Sequence, residues 1–193
     1  MNIHAPVWGE NASKRHKFSL SEAMDLVDAG ILPRDGAYEL IDGDVIEMAP
    51  EGPAHRRYQH ALIRWIIPRL PDYLAFAVDQ TLPVDRHNGP SPDFYVFPAE
   101  VHEDSLAPGD VRWVIEIADT SLAYDQAVKA PLYAGHGIAD YWIVDVNANT
   151  IAVLRDPRDG VYLSERVFAA DEEVAPLCAP GLGLRLSALP RLG

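Results

Sequence analysis

Apolar and polar positions along the chain follow two periods, one typical of strands and one typical of helices. The segment VRWVIEI, residues 111–117, is apolar on both faces apart from Arg112 and Glu116, as in a strand buried within a sheet. Helical spacing follows from about Leu122 to Ala134, and YWIVDV, residues 141–146, is a second buried strand. A strand, a helix and a strand in this order predict a right-handed crossover between neighbouring parallel strands.

The segments before this unit predict two helices and a hairpin. Ser19 and Glu22 have the spacing of a capping box at the start of a short helix. The segment AYELIDGDVIEM then alternates around Asp42-Gly43, a pair suited to the positive φ angles of a tight hairpin turn. Helical spacing returns from His55 to Leu70, where nearby prolines mark the end of the helix.

Further strands are predicted on both sides of the crossover unit. Residues 73–84 form one extended stretch, and alternation within the next stretch, 93–97, places Asp93 and Tyr95 on one face. The segments TIAVLRD and GVYLSERVF flank Asp159-Gly160 and predict a second hairpin. The strands and helices together predict an α/β domain, α+β in detail, with a mixed central sheet.

Length and composition favour one folded domain. The 193 residues are 48% hydrophobic and 23% charged, as in an ordinary globular protein. Residues 1–17 are polar and predict a flexible N-terminal arm, and residues 18–193 predict a single domain. The single cysteine, Cys178, excludes a disulfide framework and a cysteine-rich zinc site. No apolar run has the length of a membrane span or a signal-peptide core, so we expect a cytoplasmic protein without a membrane partner.

The formal net charge of −13 disfavours strong, sequence-independent binding to nucleic acid, because proteins of that kind usually present a basic surface. The charge remains compatible with a local basic groove. It also remains compatible with a metal ion that offsets acidic side chains while substrate is bound.

Two carboxylates and one lysine form the candidate catalytic group. A charge such as Glu116 near the end of a buried strand is costly unless a partner or a metal compensates it. Asp93 lies 23 residues earlier, which allows the two carboxylates to sit on adjacent strands. Such a pair suits Mg²⁺ or Mn²⁺, and Lys129, the only lysine after Lys17, could orient a water or offset developing charge.

Each of these residues also has an ordinary structural interpretation. An aspartate after a proline, such as Asp93, is most often a turn or strand-start residue. Asp125 and Lys129 have the spacing of a solvated ion pair on a helix surface. His55 is expected to be an exposed or capping histidine, and its spacing from His60 does not favour a zinc pair.

The order of these motifs resembles a known family. Pro92-Asp93, a hydrophobic strand carrying Glu116, Asp-x-x-x-Lys at 125–129 and the segment ADYWIVDV resemble the Uma2 family of predicted endonucleases, within the PD-(D/E)xK superfamily. The upstream hairpin and the closing GLGLRL extend the resemblance to roughly residues 18–190. The resemblance implies a restriction-endonuclease-like core with flanking helices and an added N-terminal hairpin.

The resemblance also implies roles for individual residues. Asp93 and Glu116 would bind the metal, and Glu39 in the segment ELIDG would add a third acidic group. The superfamily usually places its lysine two residues after the glutamate, but Ala118 occupies that position. Lys129 is the matching lysine on the following helix. Pro131 lies within the same helical pattern, so the direction of the Lys129 side chain depends on whether the helix kinks or restarts there.

The expected function is therefore a Mg²⁺- or Mn²⁺-dependent endonuclease that cleaves DNA rather than RNA and acts as a homodimer. Two alternatives stay open. One is a non-catalytic binding or assembly protein that retains a nuclease fold, which the charge, Ala118 and Pro131 favour. The other is a hydrolase of smaller phosphate esters, which the same metal chemistry would serve.

Overall fold

The computed structural model describes residues 15–190, which form a six-stranded mixed sheet and a separate two-stranded hairpin. The hairpin consists of β1 and β2, and the sheet has the order β3-β4-β5-β6-β7-β8, in which β5 and β6 are the parallel pair. The strands are β1 Tyr38–Ile41, β2 Asp44–Glu47, β3 Leu74–Val78, β4 Phe94–Pro98, β5 Trp113–Ala118, β6 Asp140–Asp145, β7 Thr150–Arg158 and β8 Val161–Ala169.

Two helices precede the sheet, and the remaining helical segments connect its parallel pair, β5 and β6. Three short 3-10 turns lie in the connections, at Glu103–Ser105, Pro108–Asp110 and Leu186–Ala188. The helical segments are α1 Leu20–Asp28, α2 Pro53–Ile66, α3 Leu122–Tyr124, a π-helical segment Asp125–Lys129 and α4 Ala130–Gly135.

Local sequence signals account for the first helix and the first hairpin. The Ser19 side chain accepts from the backbone N–H of Glu22, and the Glu22 carboxylate accepts from the backbone N–H of Ser19, which is the predicted capping box. The hairpin turns at Asp42 and Gly43, whose φ angles are 50° and 77°. Both angles are positive, as a tight turn of this type requires.

The crossover unit is confirmed, since β5 and β6 pair in parallel, with Val114 opposite Tyr141. The second hairpin is also confirmed, with β7 and β8 joined through Asp159 and Gly160 at φ angles of 49° and 78°. The mixed α+β fold is therefore as predicted. The expected strand over 73–84 is too long: β3 ends at Val78 because Asp79 adopts a φ of 51°, which breaks the extended backbone.

The two faces of the sheet bury two separate apolar clusters. Helix α2 covers one face, where the rings of Trp113 and Trp142 meet edge to face with centroids 4.6 Å apart. The π-helical segment and α4 cover the other face, where Tyr133 and Tyr141 meet in the same way at 5.0 Å. All four aromatic side chains are fully buried, so each face has a dense core directly beneath the end of the sheet that carries Glu116.

The predicted N-terminal arm lies outside the described residues except for 15–17. Within this short part, Lys17 forms an ion pair with Asp42 on the hairpin turn, and the next residue, Phe18, donates a backbone hydrogen bond of 3.0 Å to Gly43. Over residues 15–190 the structure contains no helix both long and apolar enough to cross a membrane.

Candidate functional site

The two predicted carboxylates meet at one end of the sheet. Asp93 directly precedes β4, and Glu116 lies on the neighbouring strand β5, where Phe94 pairs with Ile115. The Oδ2 atom of Asp93 accepts a hydrogen bond of 2.6 Å from the backbone N–H of Ile117. Asp93 is therefore fixed to the strand that carries Glu116, as the spacing in the sequence predicted.

Lys129 reaches this end of the sheet from the π-helical segment. Its Nζ atom lies 2.9 Å from Oε1 of Glu39 and 3.0 Å from Oε1 of Glu116. Asp125, one turn earlier, is 4.0 Å away. All four side chains are buried, so the interpretation of Asp125 and Lys129 as a solvated surface pair is wrong. The lysine instead links acidic groups from the hairpin, the sheet and its own helix.

A widened helical turn explains how Lys129 can point at the sheet despite Pro131. The backbone N–H of Ala130 donates to the carbonyl of Asp125, five residues earlier rather than four. In an α-helix the ring of Pro131 would collide with the preceding turn, and the wider π-helical turn relieves that collision. The regular helix restarts at Ala130, which corresponds to the second of the two arrangements expected from the sequence.

Neighbouring hydroxyl and N–H groups orient the buried carboxylates. Tyr133 donates a hydrogen bond of 2.9 Å to Oε1 of Glu116, the same oxygen that contacts Lys129. The Glu39 carboxylate accepts from the backbone N–H of Ser91 at 2.9 Å and from the Tyr124 hydroxyl at 3.3 Å. Because both contacts of Glu116 fall on Oε1, Oε2 has no hydrogen-bond partner among the described residues. Oε2 is thus the oxygen available to a ligand.

Burial and crowding of like charges shift the pKa of several groups. Burial raises the pKa of Glu116 well above its ordinary value; Lys129 opposes the shift, and the charges of Asp93, Asp125 and Glu39 add to it. For Lys129, burial acts to lower the pKa, but the charges of Glu116, Glu39 and Asp125 outweigh it and the pKa is raised. Lys129 therefore holds its proton as a permanent cation among the carboxylates.

A second group of potential ligands surrounds Asp93 on its other side. The Nε2 atom of His55 lies 2.8 Å from Oδ1 of Asp93, and Nδ1 of His55 lies 3.3 Å from Oε2 of Glu51. The Nδ1 contact is close but lacks the orientation of a hydrogen bond, so this buried nitrogen has no hydrogen-bond partner among the described residues. Glu51, His55 and Asp93 each offer a ligand atom within 4.8 Å of the others.

The position of His55 corrects the sequence interpretation. His55 is 8% exposed and points into the site, whereas an exposed or capping histidine was expected. The signal was present in the sequence, since His55, Gln59, Leu62 and Ile66 follow the helical period of the buried face of α2. Burial acts to lower the pKa of His55, but its hydrogen bond to Asp93 and the nearby carboxylates raise it overall.

Asp79 is a further acidic residue that the sequence interpretation missed. Gln59, buried on α2, donates to both carboxylate oxygens of Asp79, at 2.8 and 2.9 Å. Burial raises the pKa of Asp79, and the charges of Glu51 and Asp93 add to the effect. Its position depends on the left-handed φ angle that ends β3, and no spacing in the sequence indicated that angle.

The buried charged side chains border a cavity of about 890 Å³. Acidic side chains, Lys129 and the exposed Arg56 are among the residues that line it. Helix α1 and the hairpin form the remaining wall, which is mainly apolar and includes Met24, Val27 and Met48. The cavity is large enough for a small organic ligand or for one unit of a longer chain.

A comparison with protein families identifies the family of this chain. The Uma2 family, described as a putative restriction endonuclease, matches residues 22–187. The chain belongs to the Uma2 family. The match begins within α1, covers the hairpin and the whole sheet, and ends within the turn at Leu186–Ala188, so it contains every residue of the site described above. In this Uma2 protein Ala118, two residues after Glu116, is fully buried, and Lys129 supplies the ammonium group beside Glu116.

A comparison of structures supports the same fold for this Uma2 protein. A crystal structure of a putative nuclease belonging to DUF820, from Anabaena variabilis, aligns with a TM-score of 0.67 and 20% sequence identity. The alignment covers 88% of the present chain and 96% of the Anabaena protein. At this identity the likeness establishes a nuclease-like fold and no more. No curated protein matches the chain.

Proposed function

We propose that this Uma2 protein is a divalent-metal-dependent endonuclease that hydrolyses phosphodiester bonds in DNA. The observation that carries the proposal is the convergence of Asp93, Glu116, Glu39 and Lys129 at the end of the sheet, facing one cavity. Burial of this many carboxylates around one lysine is costly and is typical of a functional site. Membership of a family described as restriction endonucleases supports phosphodiesters as the substrate.

The donor atoms suit a hard divalent cation such as Mg²⁺ or Mn²⁺. Asp93 and Glu116 both line the cavity and offer carboxylate oxygens, and Oε2 of Glu116 has no hydrogen-bond partner among the described residues. Burial is the main cause of the raised pKa of Glu116, and repulsion from neighbouring carboxylates adds to it; a bound cation would relieve that repulsion. His55 and Glu51 offer further potential metal-ligand atoms around Asp93. Asp93 therefore belongs both to this group and to the pair that it forms with Glu116.

When bound, the metal would activate a water and offset charge on the phosphate. Asp93 and Glu116 would bind it, and Tyr133 and Lys129 would hold Glu116 in position through Oε1. Lys129 keeps its proton, so its role is to offset charge on the scissile phosphate and not to act as a general base. Glu39 in turn fixes the ammonium group of Lys129 at 2.9 Å.

A hydrolase of smaller phosphate esters is the second candidate. Two observations favour it: the apolar wall of the cavity, including Val27 and Met48, and the net charge of −13. An apolar wall would accommodate the organic part of a small ester, and a strongly acidic protein repels long polyanions.

A cleavage assay tests the proposal and separates the two substrates. The purified protein is incubated with Mg²⁺ or Mn²⁺ and either duplex DNA, single-stranded DNA, RNA or a small phosphodiester. We expect DNA cleavage that depends on the metal and is lost by at least about a hundredfold in Asp93→Asn and in Lys129→Met. Asp72→Asn, an exposed aspartate near the start of β3, is the matched control and should retain activity.

Three results would contradict the proposal. Cleavage that survives in both site variants would remove Asp93 and Lys129 from the reaction. Cleavage of the small ester alone would favour the second candidate. Absence of any cleavage, together with absence of Mn²⁺ binding by calorimetry, would favour a binding or assembly protein that retains the nuclease fold.

We also propose that the protein acts as a homodimer, since two copies of the site would allow both strands of a duplex to be cut in one complex. Light scattering coupled to gel filtration measures the mass directly. A mass near 43 kDa, twice the 21.3 kDa of one chain, is expected, and a mass of one chain at working concentration would contradict the proposal.

A further inference from the structure

The exposed face of α2 differs in charge from the rest of the molecule. The helix PAHRRYQHALIRWI contains three arginines, two histidines and no acidic residue, whereas the whole chain carries a net charge of −13. Arg56, Arg57, His60 and Arg64 are exposed, and we call this set the α2 basic face. The opposite side of the helix supplies the buried residues of the core.

The arginines of the α2 basic face are not neutralised by nearby acids. Exposed arginines elsewhere often have acidic partners: Arg34 pairs with Asp28 at 3.3 Å, and Arg166 pairs with Glu172 at 3.0 Å. No ion pair joins Arg56, Arg57 or Arg64 to another residue in the range 15–190. Within residues 15–190, Arg56 is the only one of these three arginines whose side chain forms a hydrogen bond. It donates to the backbone carbonyl of Glu51, which is uncharged, so the charge of Arg56 stays uncompensated.

The α2 basic face begins at the candidate active site. His55, near the start of the helix, contacts Asp93, and the exposed Arg56 lines the cavity. From Arg56 to Arg64 the helix rises about 12 Å, because each residue adds about 1.5 Å. A surface of this length can contact several consecutive phosphates of a duplex, whose strands carry one phosphate per ~3.4 Å of helix axis.

From these observations we infer that the α2 basic face binds the phosphate backbone of the duplex that is cleaved, and that it guides the scissile phosphate towards Asp93. The inference rests on the proposed function for the identity of the substrate. The acidic remainder of the surface would repel a polyanion, so the duplex would be confined to this one path. Arginines on such a path position the backbone and carry no sequence information.

Binding measurements at several salt concentrations test the inference. The substitution Asp93→Asn is combined with Arg57→Ala/Arg64→Ala, and the affinity of this variant for a 30-bp fluorescent duplex is measured without a divalent metal. The Asp93→Asn background preserves the shape of the site and prevents cleavage during the measurement. The matched control combines Asp93→Asn with Arg112→Ala/Arg158→Ala, two exposed arginines at the opposite end of the sheet.

We expect the variant of the α2 basic face to bind about 10- to 100-fold more weakly near 0.1 M salt. The slope of log K against log salt should become shallower by about 2, since two phosphate contacts are lost. The control should match Asp93→Asn in affinity and in slope. Circular dichroism of each variant verifies that the exposed substitutions leave the fold intact.

Equal slopes in the variant and the control would overturn the inference, as would the absence of duplex binding at low salt. Preference for single-stranded DNA with an unchanged slope on duplex would also overturn it. Failure of the proposed function gives a different result: the unmutated protein would not cleave DNA, while binding would still depend on Arg57 and Arg64. If the unmutated protein cleaved DNA but the arginine substitutions did not change duplex affinity, the proposed function would stand and the role of the α2 basic face in binding would be wrong.

Discussion

The Nζ atom of Lys129 lies 3.0 Å from Oε1 of Glu116, although the two residues are 13 positions apart and belong to a helix and a strand. The contact exists because the π-helical segment follows soon after the end of β5, so Lys129 lies beside the end of the sheet that carries Glu116 before α4 leads the chain back to the start of the parallel strand β6. One ammonium group thereby links the hairpin, through Glu39, to the central sheet. The same ion pairs therefore serve the fold as well as the site.

Replacement of Lys129 by methionine should destabilise the protein. Removal of one partner from a buried ion pair leaves an uncompensated charge and typically costs about 3–5 kcal/mol. Protonation of Glu116, whose pKa is already raised by burial, would reduce this loss of stability. We therefore expect the free energy of unfolding, measured by urea denaturation, to fall by about 3 kcal/mol. Lys17→Met, which removes an exposed ion pair with Asp42, is the control and should cost less than about 1 kcal/mol.

If Lys129→Met and Lys17→Met lowered the free energy of unfolding by equal amounts, the carboxylates around Lys129 would have to be neutral in the folded protein. The view of Lys129 as a counter-ion would then be wrong.

Short-range patterns in the sequence were sufficient for most of the secondary structure. The capping residues Ser19 and Glu22, the Asp-Gly pairs of both hairpins and the crossover unit each depend on neighbouring residues alone, and the structure has them all. The predicted length of β3 was wrong because the left-handed φ angle of Asp79, which ends the strand, is imposed by the surroundings of that residue. Gln59, which binds the Asp79 carboxylate, is 20 residues away in the chain.

The same distinction applies to the candidate site. Asp93, Glu116, Lys129 and Glu39 could be named from motif order, and the structure brings all four together. The contribution of His55 depends on how α2 packs across the sheet, which its spacing from His60 did not reveal. For Lys129, sequence alone left the effect of Pro131 open, because the π-helical turn is a compromise between the proline ring and the buried ion pairs.

Addition of Mn²⁺ should raise the thermal stability of the protein. A ligand at 100 times its Kd stabilises the folded state by about 2.7 kcal/mol, which corresponds to roughly 5–10 °C in Tm for a chain of this size. Asp93→Asn should abolish the shift, since Asp93 belongs to both groups of potential ligands. Differential scanning fluorimetry with and without Mn²⁺ measures the effect.

Asp140→Asn is the matched control for this experiment. Asp140 is fully buried but lies at the opposite end of β6, where it accepts from Arg155 at 2.8 Å and from the backbone N–H of Leu177 at 2.7 Å. The substitution should lower the Tm without metal and keep the Mn²⁺-dependent rise. An equal rise in Asp93→Asn would show that the cation binds elsewhere.

Cys178 should react slowly with thiol reagents. Burial raises the pKa of its thiol to about 11, with a further contribution from the charge of Asp140. At pH 8 the reactive thiolate is then on the order of one part in a thousand, far below the fraction of a free cysteine. The rate with a disulfide reagent should rise to that of a free thiol on denaturation in urea. A fast reaction in the folded protein would contradict this prediction.

Replacement of His55 by glutamine should weaken Mn²⁺ binding by about 10- to 100-fold, the usual cost of losing a group that holds a metal-binding carboxylate. The reason is the 2.8 Å contact between Nε2 of His55 and Asp93, which fixes the carboxylate from the side opposite Ile117. Isothermal titration calorimetry measures the affinity, and His60→Gln, on the exposed side of the same helix, is the control. If both variants bound Mn²⁺ as the unmutated protein does, His55 would be a structural partner of Asp93 only. A loss larger than a hundredfold would instead indicate that His55 binds the metal directly, together with Glu51 and Asp93.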